Sequence, residues 1–368
     1  MVLRMVHILI GTRAQLIKML PIMRKLQDQG IEYNFIFMAQ HRETIFEILQ
    51  EFGIKDPDYI LGDEGQDIVR SLQMLCWSIK VLWVGIKDKR KVFKGDQKGV
   101  VLIHGDAPPL LLGAILAKCQ KLRVASVEAG LRSFNLLKPF PEELTRVITA
   151  KLGLVDIFYC QDSVSVANVQ NYNKHVVNTE GNSIVDTIRL ASEINKHSIN
   201  MDSTHKKRFA IVSLHRFETI SSRDGLVKIV GIIEKITTLI EVKFILHPPT
   251  REALKKHDLY SSLEKNNRLE LIPRKTFLQF NELILNTEFM VTDGGSNQEE
   301  CAFLGIPCLI IRNETERRDG LGENAVLSYF KYDVINDFIE NYADYRRPRQ
   351  TLERSPSEII IDDLVKTL

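Results

Sequence analysis

The densest run of chemically capable residues is Val127-Glu128-Ala129-Gly130-Leu131-Arg132-Ser133, followed by Pro141-Glu142-Glu143 and Arg146. Glu128 ends a short apolar run, where an acid is costly unless it meets a partner or a substrate. Arg132 or Arg146 would supply that partner as a structural ion pair. The same residues also suit acid/base chemistry. Neighbouring carboxylates raise one another's pKa, so one can stay protonated while another acts as base. His104-Gly105-Asp106 follows a second apolar run. Asp106 there either faces a ligand or caps the next helix, since Ala107-Pro108 suits a first helical turn. Ile10-Gly11-Thr12-Arg13, with Lys18 further along the helix, makes a strand-to-helix turn. Such a turn lets backbone approach an anion, although a turn glycine with solvated cations reads the same way. GxGxxG is absent, and with it the dinucleotide fingerprint.

In the second half, Ser213-Leu214-His215-Arg216 and His247-Pro248 each follow an apolar run. A histidine at a strand end titrates near neutrality and can transfer protons. Thr292-Asp293-Gly294-Gly295-Ser296-Asn297-Gln298-Glu299-Glu300 leads into a helix. Its small residues would offer N–H groups to a phosphate, and Glu300 would accept from ribose hydroxyls. A plain helix cap explains Asp293 equally well. Arg312 to Arg317 adds cations nearby. Cys76, Cys119, Cys160, Cys301 and Cys308 form no CxxC pair and read as buried thiols, with no metal site; Cys301 follows the polar motif directly.

These residues need elements to hold them. Strand-like runs fall at 6–10, 33–38, 100–103, 123–127 and 157–159, with helical periodicity at 16–27, 41–52 and 110–118. That alternation means βαβ units and a parallel sheet, with functional loops at the carboxyl ends of its strands. The pattern resets near residue 180, after which strand-like runs recur at 209–213, 243–246, 269–272, 289–291 and 307–311. Two α/β domains are expected, 1–180 and 181–350, with a segment 351–368 that turns helical near Pro356. A cleft between two such domains is a usual place for a small-molecule site.

The chain has 368 residues, which fits two domains. With 49 Lys+Arg against 47 Asp+Glu, the net charge of +2 excludes broad electrostatic adhesion to nucleic acid or membrane. The longest apolar run, Leu110 to Leu116, falls far short of a membrane span of ~20 residues. Met1 to Ile10 does not read as a signal peptide. A cytoplasmic location is expected.

Taken in order, the motifs resemble the UDP-N-acetylglucosamine 2-epimerase family over nearly the whole chain. The resemblance rests on Gly11-Thr12-Arg13 with Lys18, Gln40-His41-Arg42-Glu43, Gly105-Asp106, Val127 to Ser133, Pro141-Glu142-Glu143 with Arg146, and Gly181 to Asp186. It continues through Leu214-His215-Arg216, Thr292 to Glu300 and Thr315-Glu316-Arg317. It implies an α/β fold of two Rossmann-like domains facing across a cleft (GT-B type), with the C-terminal segment packing back on the first. It also implies a homodimer and cofactor-free inversion at C2 of a UDP-2-acetamido sugar. UDP would leave anti, giving a 2-acetamidoglycal, and then re-add. By position, Asp106, Glu128, Glu142 and His215 match the catalytic set, and Arg13, Lys18 and Arg146 match cleft residues. Phe280, Gly294, Gly295, Ser296, Glu300 and Arg317 match the nucleotide site, and Gln40 and His41 match positions of allosteric activation by substrate. Phe280 reads equally as core or as a platform for uracil.

Departures from the family pattern bear on the substrate. Ala14-Gln15 stands where GTRPE is usual, as in members acting on modified uronic-acid sugars. Ala107, Ser126 and Thr145 replace Thr, His and Asn; Gly294-Gly295-Ser296 replaces Ser-Gly-Gly; Arg318-Asp319 replaces Pro-Glu. UDP-GlcNAc and a UDP-2,3-diacetamido or deoxy derivative both remain open. The competing readings are a hydrolysing epimerase releasing UDP, a GT-B glycosyltransferase, and a non-catalytic binder of nucleotide sugars.

Overall fold

A computed structural model describes residues 5–40, 44–62, 71–136, 140–198, 208–315 and 317–367. The chain forms two α/β units. Unit 1 is Met1–Leu190 with Leu352–Leu368, and unit 2 is Ala191–Thr351.

Unit 1 holds a seven-stranded parallel sheet: β1 Val6–Ile10, β2 Tyr33–Phe37, β3 Tyr59–Ile60, β4 Val100–His104, β5 Arg123–Val127, β6 Ile157–Cys160 and β7 His175–Asn178. Their order is β3-β2-β1-β4-β5-β6-β7, so the winding reverses between β1 and β4. The inner strands are apolar along their length because helices cover both faces; every residue of β1 and β4 is buried. The helices Arg13–Asp28, Pro108–Cys119 and Glu142–Lys151 begin near the carboxyl ends of β1 and β4 and after β5, so their first turns approach those strand ends.

Unit 2 repeats the scheme with six parallel strands: β8 Phe209–Ser213, β9 Glu241–Leu246, β10 Leu269–Pro273, β11 Met290–Thr292, β12 Cys308–Ile310 and β13 Ala325–Leu327. Their order is β10-β9-β8-β11-β12-β13, with the reversal between β8 and β11. Both units are Rossmann-like, as expected of a GT-B-type chain. Among the described residues no helix is long and apolar enough to cross a membrane.

Several local expectations shift. The two-residue β3, the polar β7 and the late β13 escape a reading that looks for apolar runs. Just after residue 180, where the sequence pattern resets, lies a helix, Ile184–Ser198, whose buried Ile184, Ile188 and Ala191 recur at helical spacing among polar residues. Of the five thiols, Cys160, Cys301 and Cys308 are buried, Cys119 is half-buried and Cys76 is exposed.

The helix Pro356–Thr367 lies on unit 1. Buried Asp186 accepts from Ser355 Oγ at 2.8 Å and from Ser357 N at 2.9 Å, which secures the start of that helix. Farther along, Tyr159 Oη donates to Asp363 at 2.8 Å. Asp186→Ala would leave a buried N–H without its acceptor, a cost of about 1–3 kcal/mol. The expected outcome is a lowered melting temperature with faster amide exchange across 356–367; unchanged exchange there would contradict the anchoring role.

Candidate active site

Glu128 is the first residue beyond β5 and takes a left-handed backbone conformation, φ 60°, which costs a non-glycine residue roughly 1–2 kcal/mol. The turn continues through Gly130 at φ +81°, where an added Cβ would lie 2.2 Å from the Ser165 carbonyl oxygen. Glu128 is 7 % exposed and meets Lys18, itself 3 % exposed, through a Nζ–Oε2 hydrogen bond. Asn182 Nδ2 donates to the same oxygen, and His104 Nε2 lies 3.8 Å from it. Asn182 is itself fixed, because Nδ2 also donates to Gln161 at 2.9 Å while Oδ1 accepts from Ile184 N at 3.0 Å. The ion-pair partner of Glu128 is therefore Lys18, not Arg132 or Arg146.

Those arginines serve other acids. Glu143, fully buried, accepts from Arg132 Nε at 2.6 Å and from the N–H groups of Ser133 and Phe134 at 3.1 and 3.3 Å. Burial pushes its carboxyl up, but Arg132, Ser133 N–H and Arg146 outweigh that and hold it below the usual range. Arg146 Nη1 donates to Glu143 at 3.3 Å while Nη2 donates to Asp106. Asp106 does not cap the following helix, whose N-cap is Ala107 with no side-chain bond. Glu142 opens the helix Glu142–Lys151 and is half-buried. Glu128 and Arg146 border one cavity of about 30 Å³ with Gly105 and Arg132. Glu143 belongs to this set, and sequence reasoning passed over it in favour of its neighbour; only the folded positions of Arg132 and Arg146 single it out.

Of the two readings of the β1 turn, the anion cradle is the one its hydrogen bonds disfavour. Gln15 Oε1 accepts from Gly11 N at 2.9 Å and Thr12 N at 3.2 Å, so both amides are taken. Gln15 Nε2 donates to the His104 carbonyl at 2.8 Å, clamping the β1 turn to the end of β4. Gly11 is required for packing, since a Cβ there would come within 2.3 Å of Pro109 Cγ. Arg13, half-buried, starts the helix. Gln40 is buried and its N–H donates to the Gly11 carbonyl at 3.0 Å; His41 lies outside the described residues.

In unit 2, His215 and Arg216 follow β8 and Asp293 follows β11. Asp293 is not a helix cap, for Gly294 is the N-cap of the helix Gly295–Leu304 and that end carries no side-chain cap bond. The Asp293 carboxylate accepts from His215 N at 2.9 Å and Arg216 N at 2.9 Å, and lies 3.3 Å from His215 Nδ1. The His215 and His247 rings approach to 4.4 Å between centroids, and His247 Nε2 is 3.3 Å from Ser213 Oγ. Burial is the main effect lowering the His215 pKa; Asp293 opposes it, while Arg216 and Arg274 add to it. The neutral imidazole is thus favoured near pH 7, the form able to accept a proton.

Gly294, Gly295 and Ser296 form the start of the helix Gly295–Leu304. Glu300, buried on that helix, accepts from Asn297 Nδ2 at 3.3 Å. Arg317 is buried and donates to Glu299 at 2.7 Å. Gln298 Nε2 ties the Arg317 and Asp319 carbonyls to the same helix at 3.2 and 2.9 Å. Phe280 is half-buried on the helix Phe277–Leu285. Cys301 is a core thiol, with burial pushing its pKa well up. Within unit 1 the folding therefore gathers Lys18 with Glu128 and Asp106 with Arg146; within unit 2 it gathers His215 with Asp293, and Arg317 with the helix bearing Glu300.

Residues 24–357 match the family described as UDP-N-acetylglucosamine 2-epimerase. The chain is 30 % identical over 328 residues to the UDP-N-acetylglucosamine 2-epimerase of Methanocaldococcus jannaschii, covering 84 % of each. It is 28 % identical over 379 residues to that of Neisseria meningitidis, covering 97 % of this chain and 98 % of the relative. The solved structure of the Neisseria meningitidis UDP-GlcNAc 2-epimerase bound to UDP-GlcNAc superposes with a TM-score of 0.79 at 25 % identity, over 99 % of this chain and 100 % of that one.

Gln15→Glu tests the clamp. A carboxylate can still accept from Gly11 and Thr12 but cannot donate to the His104 carbonyl, and it sets a charge against that oxygen. A loss of about 1–3 kcal/mol in denaturant unfolding of the β1–β4 region is expected; a stability equal to the parent would rule out the clamp.

Proposed function

The chain belongs to the UDP-N-acetylglucosamine 2-epimerase family and is an epimerase, and on that footing we propose that it inverts C2 of a UDP-2-acetamido sugar without hydrolysing it. A base takes the C2 proton, and the C1–O bond breaks with its electron pair leaving on the UDP oxygen. A 2-acetamidoglycal results. UDP then re-adds at C1 while a proton is delivered to C2 from the opposite face.

The observation that carries this reading is the set of acids in unit 1, each placed at or beside a strand end and paired with a cation: Glu128 with Lys18, Asp106 with Arg146. Two-sided proton transfer needs at least two acid/base groups. In the proposal Asp106, Glu128, Glu142 and His215 form the proton-transfer set, and Arg13, Lys18 and Arg146 face the sugar and diphosphate. The helix start at Gly294, Gly295 and Ser296 suits a phosphate, because it lacks a side-chain cap and helix amino ends favour anions. Glu300 takes the ribose hydroxyls, Phe280 the uracil face, and Arg317, steadied by Glu299, the diphosphate charge. Gln40 and His41 are assigned to activation by substrate. No cofactor is required by these steps.

The reading extends to a homodimer. The exposed Leu72, Leu75, Ile79, Trp83 and Ile86 recur every three or four residues on the helix Ser71–Lys87, an apolar stripe of the kind that marks a contact with another chain. Light scattering at twice the monomer mass is expected, and a monomer at micromolar concentration would refute it.

A mass-resolved assay of a small panel of UDP-HexNAc sugars in D2O tests reaction and substrate together. Recovered UDP-sugar should gain one deuterium at C2. Free UDP appearing in step with product would instead identify a hydrolysing enzyme, and an untouched C2 proton with every sugar would remove the epimerase mechanism. His215→Asn should lower turnover by about 10²–10⁴ with the fold retained, and Glu128→Gln should do so with a lowered melting temperature, because it strands the buried Lys18 charge; near-parental rates in both would reject these roles.

A further inference from the structure

We propose that Asp293 is a positioning residue for His215, holding the turn after β8 by its backbone and fixing the imidazole with Nδ1–H toward Asp293 and Nε2 outward. Asp293 is fully buried, yet no lysine or arginine side chain is paired with it among the described residues. Its carboxylate is met by the His215 and Arg216 N–H groups and by the His215 ring. A buried carboxylate so placed has two effects. It locks the backbone from which the ring projects, and it puts a fixed negative charge beside one ring nitrogen only.

The ring geometry agrees. His215 Nδ1 is itself buried, 3.3 Å from Asp293 Oδ1, and forms no aligned hydrogen bond in this structure. Catalytic hydrogen bonds are often long before substrate binds and shorten as charge develops. When Nε2 accepts a proton, the imidazolium is stabilised by Asp293 at no cost of reorganisation, because the carboxylate is already held by two amides. The other groups facing His215 act in the opposite sense. Arg216 and Arg274 disfavour the imidazolium, and the His247 ring lies tilted against it at 4.4 Å between centroids, restricting rotation. Asp293 is the one group among these that favours proton uptake. A short polar chain, Ser213 Oγ to His247 Nε2 at 3.3 Å, holds the second ring in place.

The catalytic consequence rests on reading His215 as a proton-transfer group, as above, whereas the ring tautomer can be read without substrate. Nitrogen-15 imidazole spectra of the full chain, with His215→Asn used for assignment, should show His215 at high pH protonated on Nδ1. Asp293→Asn keeps the shape and one acceptor oxygen while removing the charge. The His215 midpoint should then move to lower pH, and the tautomer should become mixed. In the panel assay kcat should fall on the order of 10²-fold while KM changes by less than about threefold. The acid limb of the rate profile should follow the midpoint downward. A parental ring with Nε2 protonated, or an Asp293→Asn variant with parental midpoint and tautomer, would overturn the proposal. Should that variant fail to fold, the parental tautomer decides alone. A correct tautomer with no sugar turned over would sink the assigned function and leave the positioning intact.

Discussion

The unit 1 site depends on one buried ion pair. Lys18 and Glu128 are both almost wholly shielded from water, and removing either would strand a charge in the interior, typically a loss of 3–5 kcal/mol. Such a pair is tolerable only when the remaining donor and acceptor capacity is met. Asn182 meets part of it and is itself held by Gln161 and the Ile184 N–H. Through these contacts one carboxylate ties together the helix after β1, the end of β5, the loop after β6 and the segment leading into the helix Ile184–Ser198. Gln15, one turn before Lys18, fastens that same helix to the end of β4.

The remaining polar residues follow from the same restriction. Parallel strands covered on both faces leave no room for charge along their length, so acids collect where the strands stop. There each acid is met by a donor of its own. Glu143 spends its acceptor capacity on Arg132 and on the amides of Ser133 and Phe134, which shapes the turn after Gly130. Arg146 spans Glu143 and Asp106, so the fully buried acid orients the cation beside the acid proposed for proton transfer. Unit 2 solves the equivalent problem with a different pair, a carboxylate against an imidazole, where the proton can be exchanged.

Much of this was legible in the residues themselves. Apolar runs alternating with helical periodicity locate the central strands of both units, and with them the positions of Asp106, Glu128, His215 and Asp293 just past strand ends. Short or polar strands at the sheet edges, β3 and β7, bury too little to leave a pattern. Nor did residue type reveal what Gly11 does, because the same glycine serves an anion cradle or a tight contact with Pro109.

The sequence by itself determined the fold class, the family and the short list of groups able to move protons or hold a diphosphate. These are properties of local spacing, which the chain carries wherever it folds. Tertiary structure alone decided the pairings. Arg132 and Arg146 are nearer to Glu128 in sequence, yet a sheet order that sets only β4 between β1 and β5 brings Lys18 to it instead. The same holds for Gln15 against His104 and Asp293 against His215: each joins residues tens of positions apart, and only the register of parallel strands puts their ends together.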